Sequence, residues 1–230
     1  MHIHVIRHVA FEGPGAIRSW AHVNAIPFTE THLYKGEPLP SHERYTLLVI
    51  MGGPMSVSDE KLFPWMKREK LHIEKAISSG KYVIGICLGA QMIASVMGAA
   101  VKRNRYREIG WFPIFSSPAN AHSLISLPDN TPVLHWHGET FDIPSGCRQI
   151  ARSAACENQC FIYDDRVVGM QFHLESTPEG INALVNACSY ELTGGPYVQK
   201  AEDIISSVTY CKQTNKILGQ ILTKIKNGDV

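Results

Sequence analysis

The sequence predicts an α/β fold in which a mostly parallel central sheet is covered by helices on both faces. Four segments rich in valine, isoleucine and leucine are predicted to be buried strands, near residues 2–7, 46–51, 82–86 and 166–172. Helical patterns separate these segments, and such alternation favours parallel pairing. The strands are apolar throughout rather than at every second residue, as expected when helices cover both faces of a sheet.

The predicted helices have recognisable ends. The first spans Gly15 to Ala25, the second spans Leu62 to Ser79 before Gly80, and the third spans Leu88 to Met97 before Gly98. Glycine is common just after a helix because it adopts the left-handed conformation that closes the last turn. The sequence therefore supplies the crossover helices that a parallel sheet needs.

Shorter elements complete the predicted fold. Strands around residues 112–116, 132–136, 148–153 and 159–163 are expected to form a small mixed or antiparallel flap. The tail from about 197 to 227 has apolar residues at helical spacing, which predicts amphipathic helices that pack back on the domain. We therefore expect residues 1–230 to form a single domain.

Composition limits the classes of function. With 22 basic and 21 acidic residues the formal charge is +1, so there is no electrostatic case for nucleic-acid binding. No apolar stretch of ~18 residues predicts a membrane span, and residues 1–7 resemble a first strand rather than a signal peptide. The six cysteines lack Cys-x-x-Cys spacing and are expected to be reduced thiols of a cytoplasmic protein.

Histidines at alternate positions are the nearest approach to a metal-binding pattern. They are His2 with His4, and His135 with His137. Along the sequence, no carboxylate or cysteine at suitable spacing completes either pair. We therefore predict neither a metal site nor a cofactor.

The segment from Val83 to Gln91 is the most informative motif. An apolar strand ends in Gly-Ile-Cys-Leu-Gly and continues directly into a helix of small residues. A strained turn between strand and helix exposes a nucleophile above the sheet, and glycines allow the close packing that such a turn requires. The start of a helix also favours a thiolate. We interpret Cys87 as a nucleophile rather than an ordinary buried cysteine.

A second motif supplies a base and a residue that orients it. An apolar strand ends at His173, and Glu175 follows two residues later. Residues two apart in an extended chain point to the same side, so Glu175 can hold the imidazole of His173 in one tautomer. Pro178 and Glu179 predict the start of a helix directly afterwards.

A third motif predicts donors for a developing oxyanion. The apolar strand that ends near Met51 breaks into Gly52-Gly53-Pro54, where the backbone can approach a ligand closely. Gly-Gly-Pro alone is a weak signal, but beside a nucleophile turn it predicts an oxyanion hole. The second donor is expected to be the backbone amide of Leu88, directly after Cys87.

These three motifs, in this order, resemble those of the class I (triad) glutamine amidotransferases, whose fold is flavodoxin-like. The resemblance spans roughly residues 45–180 and looks closest to the glutaminase domain of GMP synthase and its stand-alone relatives. Glu108-Ile-Gly-Trp111 and the segment from Trp136 to Phe141 add to it. Leu174 departs from the family pattern, which usually has proline between the histidine and the glutamate.

The resemblance implies a role for each matching residue. Cys87 would be the nucleophile, His173 the base and acid, and Glu175 the orienting group. The amides of Gly53 and Leu88 would form the oxyanion hole. The residues implied to bind the substrate are Gln91, Gly138, Glu139 and Thr140, with His137 a wall residue of the same pocket.

Three functions remain open from the sequence. The first is hydrolysis of the glutamine side-chain amide through a γ-glutamyl thioester, with ammonia passed to an acceptor enzyme on another chain. The second is a stand-alone γ-glutamyl peptidase or hydrolase with the same thioester chemistry. The third, a catalytically silent regulatory module, is disfavoured because cysteine, histidine and glutamate are all present. The 230 residues contain no phosphate-binding Gly-x-x-x-x-Gly-Lys-[Ser/Thr] loop of a synthetase.

Overall fold

One nine-stranded sheet forms the centre of the structure. The structure is a computed structural model that describes residues 1–117 and 124–229, so residues 118–123 and 230 of the predicted domain lie outside the described residues. The strand order is β2-β1-β3-β4-β9-β8-β7-β5-β6. In chain order the strands are β1 (Ile3–Arg7), β2 (Phe28–His32), β3 (Leu47–Ile50), β4 (Tyr82–Ile86), β5 (Val101–Ser116), β6 (Thr131–Phe141), β7 (Arg148–Ser153), β8 (Cys160–Tyr163) and β9 (Val167–Met170).

The sheet has a parallel half and an antiparallel half. Strands β2, β1, β3, β4 and β9 pair in parallel, whereas β8, β7, β5 and β6 continue the same sheet with antiparallel pairs. The predicted α/β class is confirmed, and the predicted flap is the antiparallel half of the central sheet. Strands β5 and β6 are much longer than the segments 112–116 and 132–136 that the sequence predicts.

Six α-helices accompany the sheet in the described residues. They are α1 (Ala16–Val23), α2 (Trp65–Ser78), α3 (Leu88–Val96), α4 (Pro178–Cys188), α5 (Ala201–Ser206) and α6 (Cys211–Asn227), with short 3₁₀ turns at Leu33–Lys35, His42–Arg44, Ser189–Glu191 and Val208–Tyr210. Helix α2 begins three residues later than predicted, because the proline at position 64 disfavours a helical conformation of the residue before it. None of the described helices is long and apolar enough to cross a membrane.

The helices cover both faces of the sheet because successive strand residues point to opposite sides. Leu47 and Val49 of β3 lie in one apolar cluster with residues of α1 and α6. Leu48 and Ile50 lie in the other cluster, with residues of α2 and α3. Each parallel strand therefore contributes to two cores, which explains its continuous apolar sequence.

The parallel strands bring distant parts of the chain to one edge of the sheet. Strands β1, β3, β4 and β9 are adjacent, and their carboxyl ends lead to His8, Gly52, Cys87 and the segment that begins at Gln171. Open α/β sheets carry their sites outside the carboxyl ends of such strands. The proposed catalytic residues meet there although they are far apart in sequence.

Candidate active site

Cys87 lies in the turn between β4 and α3. Its backbone has φ 53° and ψ −108°, a sparsely populated combination for a residue with a side chain. The turn is held by its own backbone, since the Cys87 N–H donates to the Met170 carbonyl at 2.8 Å. Small neighbours are required, because a Cβ on Gly89 would lie 2.1 Å from the Ile50 carbonyl oxygen.

The Cys87 thiol is buried among polar groups. Its Sγ lies 3.5 Å from the Trp136 carbonyl oxygen, and the Gln171 side-chain amide donates to Sγ at 3.6 Å. Burial raises the pKa of the Cys87 thiol, although the nearby His173 and the Leu88 N–H act to lower it. The helix start was expected to favour a thiolate, but burial of the thiol outweighs the groups that favour its ionised form.

His173 follows β9 and is fixed through both its backbone and its ring. The His173 N–H donates to the Leu134 carbonyl, and Nδ1 lies 2.8 Å from Glu175 Oε1. Because the carboxylate accepts, the Nδ1 proton points to Glu175 and leaves Nε2 free for the thiol. Burial opposes a charged ring, but Glu175 and Cys87 outweigh it and raise the pKa of His173 well above its usual value.

Helices from both ends of the chain hold the segment that carries His173 and Glu175. The first N–H of α1, from Ala16, donates to the Glu175 carbonyl at 2.8 Å. The Asn215 side chain of α6 donates to the Leu174 carbonyl at 2.8 Å and to the Ser176 carbonyl at 3.0 Å. Leu174 is fully buried in the core at the position where the family usually has proline.

A cavity of about 490 Å³ opens beside Cys87. Gly53, Gln91, Gly138 and Glu139 line it, together with Cys87 and His173. The Gln91 side chain also donates to Gln171 Oε1 at 3.1 Å, which fixes its amide. The structure thus brings most of the sequence-predicted residues to one cavity.

Thr140 is not among the cavity-lining residues. Its hydroxyl lies 3.1 Å from Cys156 Sγ and also contacts the Asn158 carbonyl. Residues alternate between the two sides of a strand, so Thr140 faces away from the side that Glu139 presents to the cavity. The Leu88 backbone N–H lies beside the Cys87 thiol, and the Leu88 side chain is buried in the core.

Two groups of charged residues in the cavity have no place in the sequence motifs. Glu12, after β1, lies so close to Gly52 that a Cβ there would be 2.1 Å from Glu12 Oε2. Burial raises the pKa of Glu12, and its carboxylate acts to raise the pKa of Cys87. Three arginines at every second position of β5 also line the cavity, namely Arg103, Arg105 and Arg107. Their alternate spacing is visible in the sequence and could have indicated that the three arginines lie on one face of a strand.

The described residues include one cluster that could hold a metal ion, formed by Glu108, His135 and His137. The expectation that no carboxylate completes the pair of His135 and His137 was wrong. Pairing of β5 with β6 places the carboxylate residue Glu108 opposite His137. Glu108 Oε2 already accepts hydrogen bonds from Ser153 at 2.9 Å and Gln159 at 2.6 Å. These hydrogen bonds give the cluster a structural role, in which it supports the wall of the cavity.

The family model for class-I glutamine amidotransferases matches residues 17–188 of this chain. The chain belongs to this family. Among curated proteins, a glutamine amidotransferase-like protein of Salmonella typhimurium, YfeJ, is 33% identical over 84% of this chain and 83% of its own length. GMP synthase of Anaplasma marginale is 30% identical over 70% of this chain, which spans only 32% of that longer enzyme.

Solved structures of this amidotransferase family match nearly the whole chain. A glutamine amidotransferase from Thermotoga maritima is 30% identical, with a TM-score of 0.90 over 98% of this chain and 97% of its own. One from Methylobacillus flagellatus is also 30% identical, with a TM-score of 0.92 over 100% of this chain and 95% of its own. The resemblance expected from the three motifs is therefore confirmed at the level of family and fold.

Proposed function

We propose that this amidotransferase hydrolyses the side-chain amide of glutamine through a γ-glutamyl thioester on Cys87. The observation that carries the proposal is the alignment of Glu175, His173 and Cys87, the last two of which line one cavity. The carboxylate of Glu175 fixes the ring of His173, and the other ring nitrogen, Nε2, would accept the proton of the Cys87 thiol. This is the order of orienting group, base and nucleophile that acyl transfer requires.

The reaction begins with attack of Cys87 Sγ on the γ-carbonyl carbon while the thiol proton passes to Nε2 of His173. The negative charge that develops on the carbonyl oxygen would be stabilised by the N–H groups of Gly53 and Leu88. His173 then returns the proton to the leaving nitrogen, and ammonia departs. Water attacks the thioester with His173 as base, which releases glutamate and restores the thiol.

A charged group in the cavity suits the amino-acid end of the substrate. Gln91, Gly138 and Glu139 are proposed to bind the amino-acid end of the substrate, for which Glu139 offers a carboxylate to the ammonium group. Ser56 Oγ donates to Glu139 Oε1 at 3.2 Å and so holds this carboxylate at the cavity. Thr140 would support this wall from behind through its contact with Cys156.

Ammonia released here would pass to an acceptor enzyme on another chain. The proposal is supported by GMP synthase of Anaplasma marginale, in which the region similar to this chain makes up only 32% of a longer enzyme. We further propose that the protein is cytoplasmic, in agreement with its six free cysteines.

A γ-glutamyl hydrolase is the second candidate, and the arginines of β5 favour it. Arg103 and Arg105 line the cavity, and neither forms an ion pair with a carboxylate in the part of the chain that the structure describes. Cationic groups in this cavity would suit a substrate with an anionic group on the far side of the γ-amide. Glutamine itself has only a hydrogen-terminated amide there.

The deciding experiment compares kcat/KM for glutamine and for γ-glutamyl peptides. The amidotransferase proposal predicts slow turnover of glutamine by the isolated chain and faster turnover when a synthetase from the same cells is added. Fast cleavage of a γ-glutamyl peptide by the chain alone, with glutamine a poor substrate, would favour the hydrolase. If the double variant Arg103→Gln/Arg105→Gln loses the preference for the peptide over glutamine, the two arginines are responsible for that preference.

A further inference from the structure

A buried histidine outside the three motifs contacts the loop that is proposed to form the oxyanion hole. His8 follows β1 and is fully buried, as is Glu69 of α2. Nδ1 of His8 lies 3.0 Å from the Gly52 carbonyl oxygen, and Nε2 lies 2.8 Å from Glu69 Oε1. The ring of Trp65 stacks on the imidazole with centroids 5.5 Å apart. The ring is therefore held on both edges and on one face.

The proton positions follow from the partners. A carbonyl oxygen can only accept, so Nδ1 of His8 carries a proton and donates it to Gly52. This holds whether the pair of His8 and Glu69 is ionised or neutral. Burial disfavours a charged ring, but Glu69, the Gly52 carbonyl and Glu12 together outweigh burial and raise the pKa of His8. Glu69 thus helps to keep both ring nitrogens protonated.

The contact with Gly52 has a consequence for its neighbour, because one peptide unit contains both the Gly52 carbonyl and the Gly53 N–H. This peptide is trans, so the two groups point in opposite directions. His8 also approaches Gly53 itself, since a Cβ there would lie 3.1 Å from His8 Cβ. Two consecutive glycines would otherwise rotate easily.

We infer that His8, held by Glu69, is a positioning residue that fixes the Gly52–Gly53 peptide so that the Gly53 N–H serves the oxyanion. The inference rests on the proposed function, in which Gly53 donates to the developing charge. Preorganised donors of this kind act without reorganising during the reaction. A hydrogen bond to the Gly52 carbonyl also polarises the same peptide and strengthens its N–H as a donor.

The first test uses the double variant His8→Leu/Glu69→Leu. Replacing both members of a buried pair by apolar residues of similar volume often preserves folding. Removing only one member leaves a buried charge without a partner. We expect kcat for glutamine to fall on the order of 10²-fold with little change in KM, as when an oxyanion donor is lost. Alkylation of Cys87 by iodoacetamide needs the thiolate but no oxyanion hole, so its rate should not change.

The matched control is Tyr45→Phe/His72→Leu. His72 lies on the same helix as Glu69, and its Nε2 is hydrogen-bonded to the Tyr45 hydroxyl at 2.8 Å without contact with Gly52. This control also removes a buried imidazole but should keep the wild-type kcat. A folded His8→Leu/Glu69→Leu protein with wild-type kcat, or an equal loss in both double variants, would overturn the inference.

A second readout is independent of turnover. The sequence has only two Gly-Gly pairs, Gly52–Gly53 and Gly194–Gly195. With glycine labelled by ¹³C at the carbonyl and by ¹⁵N, an HNCO spectrum therefore contains resonances from these two peptides alone. Loss of the hydrogen bond from His8 should shift the Gly52 carbonyl resonance and leave that of Gly194 unchanged. Glu69→Gln, which leaves His8 in place but removes the neighbouring charge, should shift the Gly52 resonance less than the double variant does.

The two readouts separate the inference from the function on which it rests. If the wild type hydrolyses no glutamine, the proposed function fails, and the Gly52 resonance still decides whether His8 fixes the peptide. An unchanged Gly52 resonance in the double variant overturns the inference. Should that variant not fold, ¹⁵N-histidine labelling of the wild type decides, because a deprotonated Nδ1 of His8 also overturns it.

Discussion

At the residue scale, the chemistry of the site depends on the position of one proton. Burial raises the pKa of Cys87, while Glu175 and Cys87 raise the pKa of His173 despite burial of the ring. The base is thus strengthened beside a thiol that resists ionisation. In this arrangement the proton moves to His173 as the thiol attacks, and the negative charge passes directly to the substrate.

The first prediction compares the base with its orienting residue. His173→Ala should lower kcat/KM for glutamine on the order of 10⁴-fold or more, because the nucleophile and base act as a unit. Glu175→Gln should cost less, since the side-chain amide that replaces the carboxylate can still accept from the ring of His173 while lacking the charge. Steady-state kinetics of both variants check this order. A nearly wild-type rate in His173→Ala would exclude it as the base.

The second prediction concerns Glu12. Its carboxylate acts to raise the pKa of Cys87, so Glu12→Gln should lower that pKa. The rate of Cys87 alkylation by iodoacetamide, measured against pH, should then rise at lower pH than in the wild type. Cys87→Ala identifies the part of the reaction that comes from other cysteines. An unchanged profile would show that Glu12 does not act on the thiol.

Local sequence was sufficient to predict some residues of the site and not others. Cys87 lies between glycines at a strand end, and His173 precedes Glu175 by two residues. Such short spacings can be recognised in the sequence alone. Glu12 reaches the cavity only because β1 lies beside β3. Burial around the thiol, which reverses the expected direction of its pKa shift, depends on the whole core.

At the element scale, the turn after β4 requires close contact between a helix and the sheet. A Cβ on Gly85 would lie 2.5 Å from the backbone of Gly89, so α3 lies almost against β4. The strained backbone of Cys87, a cost of about 1–3 kcal/mol, persists only because the surrounding packing fixes it. The turn therefore depends on its two flanking glycines.

The third prediction tests this dependence. Gly89→Ala should lower the free energy of unfolding by more than about 3 kcal/mol, because the new Cβ meets the Ile50 carbonyl and neither backbone can yield cheaply. Gly138→Ala is the control, since the nearest neighbour of its new Cβ would be Arg107 Cγ at 3.4 Å. Urea unfolding measures both. Equal stability of the two variants would contradict the packing argument.

The sequence predicted the buried elements better than the partly exposed ones. Strands β1, β3, β4 and β9 are continuous apolar runs and were predicted close to their observed positions. Strand β2, Phe-Thr-Glu-Thr-His at the sheet edge, was not predicted because its polar residues give no apolar signal. The first half of β5 is rich in lysine and arginine, which concealed the long hairpin that it forms with β6.

At the scale of the whole molecule, buried neutral histidines make stability depend on pH. Burial lowers the pKa of His72 to about 4, with His42 and Lys75 acting in the same direction. Burial also lowers the pKa values of His4 and His135 to about 4. The ordinary value in an unfolded chain is about 6.5. Between these values the unfolded chain binds more protons, so this stabilisation is complete above about pH 6.5 and is lost toward pH 4.

The fourth prediction isolates one of these histidines. His72→Gln keeps an acceptor for the Tyr45 hydroxyl but cannot take up a proton on unfolding. Its free energy of unfolding should therefore fall less than that of the wild type between about pH 7.5 and about pH 4.5. Comparing the two proteins cancels the opposite contributions of His8 and His173, whose pKa values are raised. Equal losses in both proteins would contradict the neutral state of His72.

The whole-molecule topology could be predicted in part. Alternation of strands and helices predicted the parallel half, since crossover helices force parallel pairing. Glu108 shows why the rest could not be predicted. It lies far along the chain from His135 and His137, and only the register of β5 with β6 brings them together.

The central claim is that Cys87 is a nucleophile directed at the γ-carbonyl of glutamine. The most direct test is intact-mass analysis after treatment with the glutamine analogue 6-diazo-5-oxo-norleucine, which needs no partner enzyme. The account predicts one adduct, located on Cys87 by peptide mapping, slowed by excess glutamine and absent from Cys87→Ala. No adduct, or an adduct on Cys147, Cys156, Cys160, Cys188 or Cys211, would contradict it.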